Sequence, residues 1–272
     1  MTHIDTPVRG YARTPLGQVH YAEQGAGAPV ILLHQTPRSW DEFAELIPLL
    51  ANGRRVIAID MPGFGLSYHV VAPQSIEAYA AGVLAFADAL DLDRFSVLGH
   101  HTGGAVGIEL AASAPDRISA LVLSSAPWTD PAYRASHANG PGVDEANRAD
   151  DGAHLTTLWR LRQPYYPPQR PDLLDRFIRD ALAPGVDPAE GHLACARYAM
   201  EDRIGLVTAP TLLLGASADP FALPDLPRLR EHLTNAAAVT EEVIDGGTIP
   251  LIEQKADAVA DAVARFLAPL DL

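Results

Sequence analysis

The first place where this chain can do chemistry is a histidine set in a tight turn. The run Arg94-Phe95-Ser96-Val97-Leu98 has a buried-strand pattern, and Ala105 to Ala112 has helical content. Between them stand Gly99-His100-His101-Thr102-Gly103-Gly104. Glycines on both sides of such a strand-to-helix turn let the backbone double back closely. One side chain is then lifted clear of the sheet toward a substrate, and that residue is His101. An unperturbed imidazole titrates near ~6.5, so it can serve as general base, general acid or nucleophile at neutral pH. A metal is not expected. His100 and His101 are adjacent and should point in different directions, and no His-Glu-x-x-His pattern or cysteine cluster is present. No glycine-rich dinucleotide or Walker pattern stands out either, so no cofactor is expected.

The elements around this turn follow an alternating pattern. Strand signals near 8–13 and 18–23, joined by a turn at Leu16-Gly17, precede an apolar strand from Val30. Helical patterns at 40–50 and 75–90 interleave with strands starting near Arg55 and Arg94, and Ala120 to Ser125 reads as the next strand. Strand and helix in alternation imply an α/β fold with a mostly parallel sheet covered on both faces. From Pro127 to about Leu206 the alternation stops. Helical segments around 153–161, 172–182 and 190–201 follow one another through proline-rich joints.

Composition narrows the functional classes. With 272 residues and 48% hydrophobic content the chain can build one large domain with an insertion. A formal net charge of -14 argues against binding a phosphate backbone, so no nucleic-acid partner is expected. One cysteine, Cys195, leaves no intramolecular disulfide. The polar start and the lack of a long apolar run point to a cytoplasmic protein with no membrane partner, and the Ala, Arg, Asp and Pro content suggests a bacterial source. A homodimer is an open expectation.

Several ordered blocks together resemble the α/β-hydrolase superfamily over nearly the whole chain. They are Val30-Ile31-Leu32-Leu33-His34-Gln35-Thr36-Pro37, then Ile59-Asp60-Met61-Pro62-Gly63-Phe64-Gly65-Leu66-Ser67, then the turn around His101. Pro210 to Gly215 followed by Asp219 resembles the late strand and the catalytic acid. Gly246-Gly247-Thr248 resembles the segment that delivers the catalytic histidine. The resemblance implies an α/β-hydrolase fold, with 1–126 and 207–272 as the core domain and 127–206 as a helical cap inserted over the site. It also implies that His101 occupies the nucleophile's place and Thr248 the histidine's, while Asp219 is retained. His100 is expected to pack beneath the turn, and the backbone N–H groups of Thr36 and Thr102 match the family's oxyanion donors.

A Ser-His-Asp mechanism is excluded at these positions, because threonine cannot replace imidazole as a base. The far nitrogen of an imidazole lies roughly 3.5 Å from its Cβ, near where a triad serine's partner nitrogen would sit given a hydrogen bond of ~2.8 Å. One side chain at the elbow thus fills space normally shared by two. A catalytic line His101-Thr248-Asp219 is therefore expected, with the Thr248 hydroxyl as the bridge. His34, Gln35, Trp128, Trp159, Tyr165 and Tyr198 are candidate pocket residues for a small-molecule substrate, although each aromatic alone suits core packing better. The expected function is a cofactor-independent hydrolase or lyase with an atypical triad, acting on a small ketone, lactone or ester by hydrolysis or C–C or C–O cleavage. The alternative is an inactive, ligand-binding relative that kept the pocket.

Overall fold

A computed structural model describes residues 6–137, 143–145 and 147–270. Eight strands form one sheet: β1 (Val8–Thr14), β2 (Gly17–Gln24), β3 (Ala28–Leu33), β4 (Arg54–Ile59), β5 (Phe95–His100), β6 (Ile118–Ser124), β7 (Thr211–Ala216) and β8 (Val239–Ile244). Their order across the sheet is β1-β2-β4-β3-β5-β6-β7-β8. The pairs β1·β2 and β2·β4 are antiparallel, and every other neighbouring pair is parallel. This is the mostly parallel, helix-flanked α/β sheet that the alternation of strand and helix predicts.

Successive residues of a strand point to opposite faces, so the strands feed two separate cores. Ile31, Leu33, Ile57, Ile59, Leu121 and Leu123 pack on one face, beneath α2 (Ile76–Ala89) and α3 (Thr102–Ser113). Val30, Leu32, Val56, Ala58, Val122 and Leu212 pack on the other. That face is covered by α1 (Leu46–Leu50) and by α10 (Ala256–Leu267). The helix read over 40–50 is broken in two, a 3-10 turn at Trp40–Phe43 and then α1. The 3-10 turn begins where the Ser39 side chain accepts from the Asp41 N–H.

Between β6 and β7 the described residues hold helices and no strand. These are α4 (Pro131–His137), α5 (Ala153–Arg162), α6 (Pro171–Ala181) and α7 (Glu190–Arg197). The helix read over 190–201 stops at Arg197 and continues as a 3-10 turn at Met200–Asp202. Leu158, Tyr166, Leu173, Leu174, Phe177 and Ala181 form a third, small apolar cluster within this segment. After β7 come α8 (Leu226–His232), β8 and the short α9 (Leu251–Gln254). No helix among the described residues is long and apolar enough to cross a membrane.

Candidate active site

The turn that holds His101 is shaped by what cannot fit beside it. A Cβ on Gly99 would stand 2.1 Å from the Gly103 carbonyl oxygen, and one on Gly103 would stand 2.1 Å from the Leu33 carbonyl oxygen. Only glycine permits such an approach. His101 itself is held at φ 46°, ψ -113°, a left-handed conformation that costs a non-glycine residue and is typical of functional turns. The Gly104 N–H donates to the His101 carbonyl at 2.8 Å, which starts α3 directly behind the ring. The side chain therefore projects from the carboxyl end of β5 and keeps 17% of its surface exposed.

His101 meets Asp219 without an intermediary. Its Nε2 lies 3.1 Å from Asp219 Oδ2, close enough for strong electrostatic contact, although the ring N–H is not aligned as in a good hydrogen bond. Asp219 is nearly inaccessible. Its other oxygen accepts from the backbone N–H groups of Phe221 (2.9 Å) and Ala222 (3.1 Å). Burial alone would push this carboxyl up. His101 and the two N–H donors outweigh burial and hold it at about 2, so Asp219 is an anion at neutral pH. With Nε2 turned to Asp219, Nδ1 is the ring nitrogen that makes no hydrogen bond to the described residues.

The expected bridge through Thr248 is not there. The Thr248 hydroxyl donates to Gln254 Oε1 at 2.7 Å, the Thr248 N–H donates to the same atom at 2.8 Å, and Gln254 Nε2 donates to the Gly246 carbonyl. Two reasons are physical: the imidazole at the elbow spans the gap to the acid by itself, and the hydroxyl's one proton is spent on Gln254. Thr248 instead lines a cleft of about 690 Å³ together with Tyr165, Pro167, Asp219, Pro220 and Gln254. His101 is not part of that lining and touches the cleft only through Asp219.

Of the other candidates, Thr36 and Thr102 come together, their hydroxyls 2.9 Å apart. Their backbone N–H groups make no hydrogen bond to described residues, which leaves both donors available beside His101. His100 does pack beneath the turn. Its Nε2–H donates to the Ile249 carbonyl at 3.0 Å and its Nδ1 accepts from the Ser124 hydroxyl at 3.0 Å, a tautomer assigned from these partners. Burial first, then the neighbouring His101, push its pKa down to about 3, so it stays neutral.

Most of the proposed pocket residues point elsewhere. His34 is fully buried. Its Nδ1–H donates to the Gln35 carbonyl and its Nε2 accepts from the Met61 N–H, and burial lowers its pKa. The Gln35 amide donates to Glu42 at 2.6 Å instead of facing a ligand. Trp128 is buried against His232 and Arg228, with its indole N–H on Asp130. Trp159 packs on the small cluster of the helical segment, and the buried Tyr198 hydroxyl donates to Glu109 at 2.9 Å. Only Tyr165 keeps a place in the cleft, where it also packs edge-on against Phe221. Two residues escaped sequence reasoning. Ser125, at φ 46° just beyond β6, has a buried hydroxyl without a partner. His192, on α7, lies close enough for its charge to interact with His101. Neither sits in a motif. Among the described residues no cluster of side chains is arranged to hold a metal.

A family model described as alpha/beta hydrolase fold matches residues 28–254. A soluble epoxide hydrolase from Corynebacterium sp. (strain C12) is 32% identical over 123 residues, 45% of this chain and 41% of that protein. A 2-hydroxy-6-oxo-2,4-heptadienoate hydrolase from Pseudomonas putida is 37% identical over 130 residues, 46% of this chain and 47% of that protein. The match therefore spans under half the length of these relatives. Among solved structures, the enol-lactonase from Burkholderia xenovorans LB400 superposes with a TM-score of 0.79 at 20% identity, covering 95% of this chain and all of that one. An epoxide hydrolase from Vigna radiata gives a TM-score of 0.79 at 18% identity, covering 98% of this chain and 99% of that one.

Proposed function

The chain belongs to the alpha/beta hydrolase fold family, and from that premise we propose that it is a cofactor-independent enzyme using a His101–Asp219 dyad on a small carbonyl substrate, a lactone, ester or ketone. The observation that carries this reading is the 3.1 Å approach of His101 Nε2 to an Asp219 held as an anion. The anion stabilises a protonated His101 ring, as an aspartate does for a triad histidine. The ring can then exchange a proton with substrate through Nδ1. The free N–H groups of Thr36 and Thr102 receive the negative charge that develops on a carbonyl oxygen. The outcome is hydrolysis, or C–C or C–O cleavage, without an acyl-serine. The names of the relatives, an epoxide hydrolase and a dienoate hydrolase, support a hydrolytic reaction on a small molecule. In this reading the helical segment 127–206 is the lid, with Tyr165 closing the cleft over Asp219.

The test is turnover on a panel of small lactones, esters and ketones, with fluorophosphonate labelling alongside. The reading expects turnover that falls roughly a hundredfold or more in Asp219→Asn, and no serine labelled stoichiometrically. Stoichiometric serine labelling with loss of activity would contradict it. A chain that binds members of the panel but turns over none would be a binding protein.

A further inference from the structure

A second histidine–aspartate pair stands in the helical segment. His192 Nε2 lies 3.0 Å from Asp144 Oδ2. Arg162 Nε donates to Asp144 Oδ1 at 2.6 Å, and its NH2 group donates to the other oxygen of the same carboxylate. As at His101, Nε2 is turned to a buried carboxylate and Nδ1 makes no hydrogen bond to the described residues; unlike at His101, an arginine stands beside the pair, Arg162 Nη2 being 3.3 Å from His192 Nε2. Both side chains are partly open, 25% for His192 and 17% for His101.

Packing puts this ring beside the turn. A Cβ on Gly191 would stand 2.1 Å from Thr36 Cγ2, so the start of α7 lies directly on the loop with the free Thr36 N–H. One turn later the buried Cys195 thiol stands near the side chain of Thr102, the residue after His101. His192 follows Gly191 at the edge of this contact, within electrostatic reach of His101. A purely structural staple would not need it. Arg162 and Asp144 already complete a two-point pair without an imidazole, and that pair leaves the His192 ring with a bare, accessible nitrogen.

We propose that His192 is a second catalytic residue, acting on the substrate from the helical segment opposite His101; the proposal rests on the reading of His101 as catalytic. The two rings differ in what surrounds them. Asp219 faces His101 with no arginine beside it, whereas Arg162 stands on Asp144 and 3.3 Å from His192 Nε2, a second positive charge against the His192 ring. In this proposal His192 has the role of base and His101 that of acid. For a lactone or ester, His192 Nδ1 takes a proton from water as the water oxygen bonds to the carbonyl carbon. The carbonyl electron pair moves to oxygen at the Thr36 and Thr102 N–H groups. When that pair returns, the C–O bond to the leaving oxygen breaks, and this oxygen takes the proton of His101. The proton gained by His192 returns to His101 through solvent, so one water is consumed and neither ring is changed.

The experiment combines diethyl pyrocarbonate mapping with kinetics on 4-nitrophenyl acetate, using the full chain and the variants His192→Gln and His101→Ala. Mapping by mass spectrometry should show His192, the unprotonated base, acylated ahead of the buried His34 and His100. His192→Gln should lower kcat roughly a hundredfold with KM within a few-fold, while circular dichroism and thermal unfolding stay near wild type. A His192 that is acylated no faster than His34 and His100 overturns the proposal even if the acetate is not turned over. So does wild-type kcat in His192→Gln while His101→Ala is impaired. Full activity in His101→Ala sinks the dyad reading itself, a separate outcome.

Discussion

The sheet and the junction that fastens the helical segment to it are held together by opposite physics. Within the sheet, β3, β4, β6 and β7 bury aliphatic side chains on both faces, and stability there grows with the apolar area removed from water. At the junction the central residue is Arg38, with no accessible surface. Its Nε donates to Asp180 of α6 at 2.9 Å and its NH1 to Glu253 of α9 at 2.6 Å, with Glu42 at 3.8 Å. Arg176 and Arg179 of α6 reach Asp41 from the same helix. α6 thus carries two stripes, Leu173, Leu174, Phe177 and Ala181 toward its own small cluster and Arg176, Arg179 and Asp180 toward the core. A sheet that buries apolar area tolerates small losses one at a time. A buried charge network does not, because each partner removed strands the others in low dielectric.

The largest effect should follow from breaking that network at its centre. Arg38→Met keeps volume but takes from Glu42 its cation and leaves Asp180 only Arg179 and Glu253 only Arg176, a loss of about 3–5 kcal/mol. Hydrogen exchange should show α6 losing protection while β5 and β6 keep theirs. Equal loss across sheet and helical segment would mean that the junction and the sheet unfold as one.

A pH series sharpens the same contrast. Burial pushes Glu42 up to about 8; Arg38 and the Gln35 donors oppose the push, and Glu253 adds to it. An unfolded glutamate titrates near ~4.3, so between these values the folded chain holds the extra proton. The associated stability is fully present below the unfolded value and is lost as pH rises through about 8. The slope approaches about -1.4 kcal/mol per pH unit for one such proton. Glu42→Gln should flatten this decline in urea melts between pH 5 and 8, with the remaining slope due to Glu253, whose pKa burial also raises. An unchanged slope would place the titrating group elsewhere.

The smallest change tests whether Thr248 belongs to the site's wall or to its chemistry. Thr248→Val removes one hydroxyl bond to Gln254, worth about 1 kcal/mol. Turnover should stay within a few-fold of wild type. A drop of roughly a hundredfold would restore the bridged line.

What was legible in the chain follows the same division. Gly99, His101 and Gly103 lie within five positions, so their shared turn is a local fact that spacing reveals. The two faces of the sheet are equally local, written as alternation along each strand. Asp219 was legible from the strand before it, but its direct contact with His101 was not, because that depends on how far a ring reaches across folded space. The misplaced pocket residues have one cause: His34, Gln35, Trp128 and Tyr198 are types that suit a pocket, and each had a nearer partner that only the fold supplies. Arg38 pairs with residues 142 and 215 positions away, and His192 with one 48 away. Pairings at such separations leave no local periodicity.

The central claim is that a single imidazole, backed directly by Asp219, replaces the serine and histidine of the usual triad. Kinetics of His101→Ala on any lactone, ester or ketone that the wild type turns over test it most directly, with thermal unfolding as control. The dyad requires kcat to fall roughly a hundredfold or more with unfolding nearly unchanged. Full turnover in a folded His101→Ala protein would contradict it.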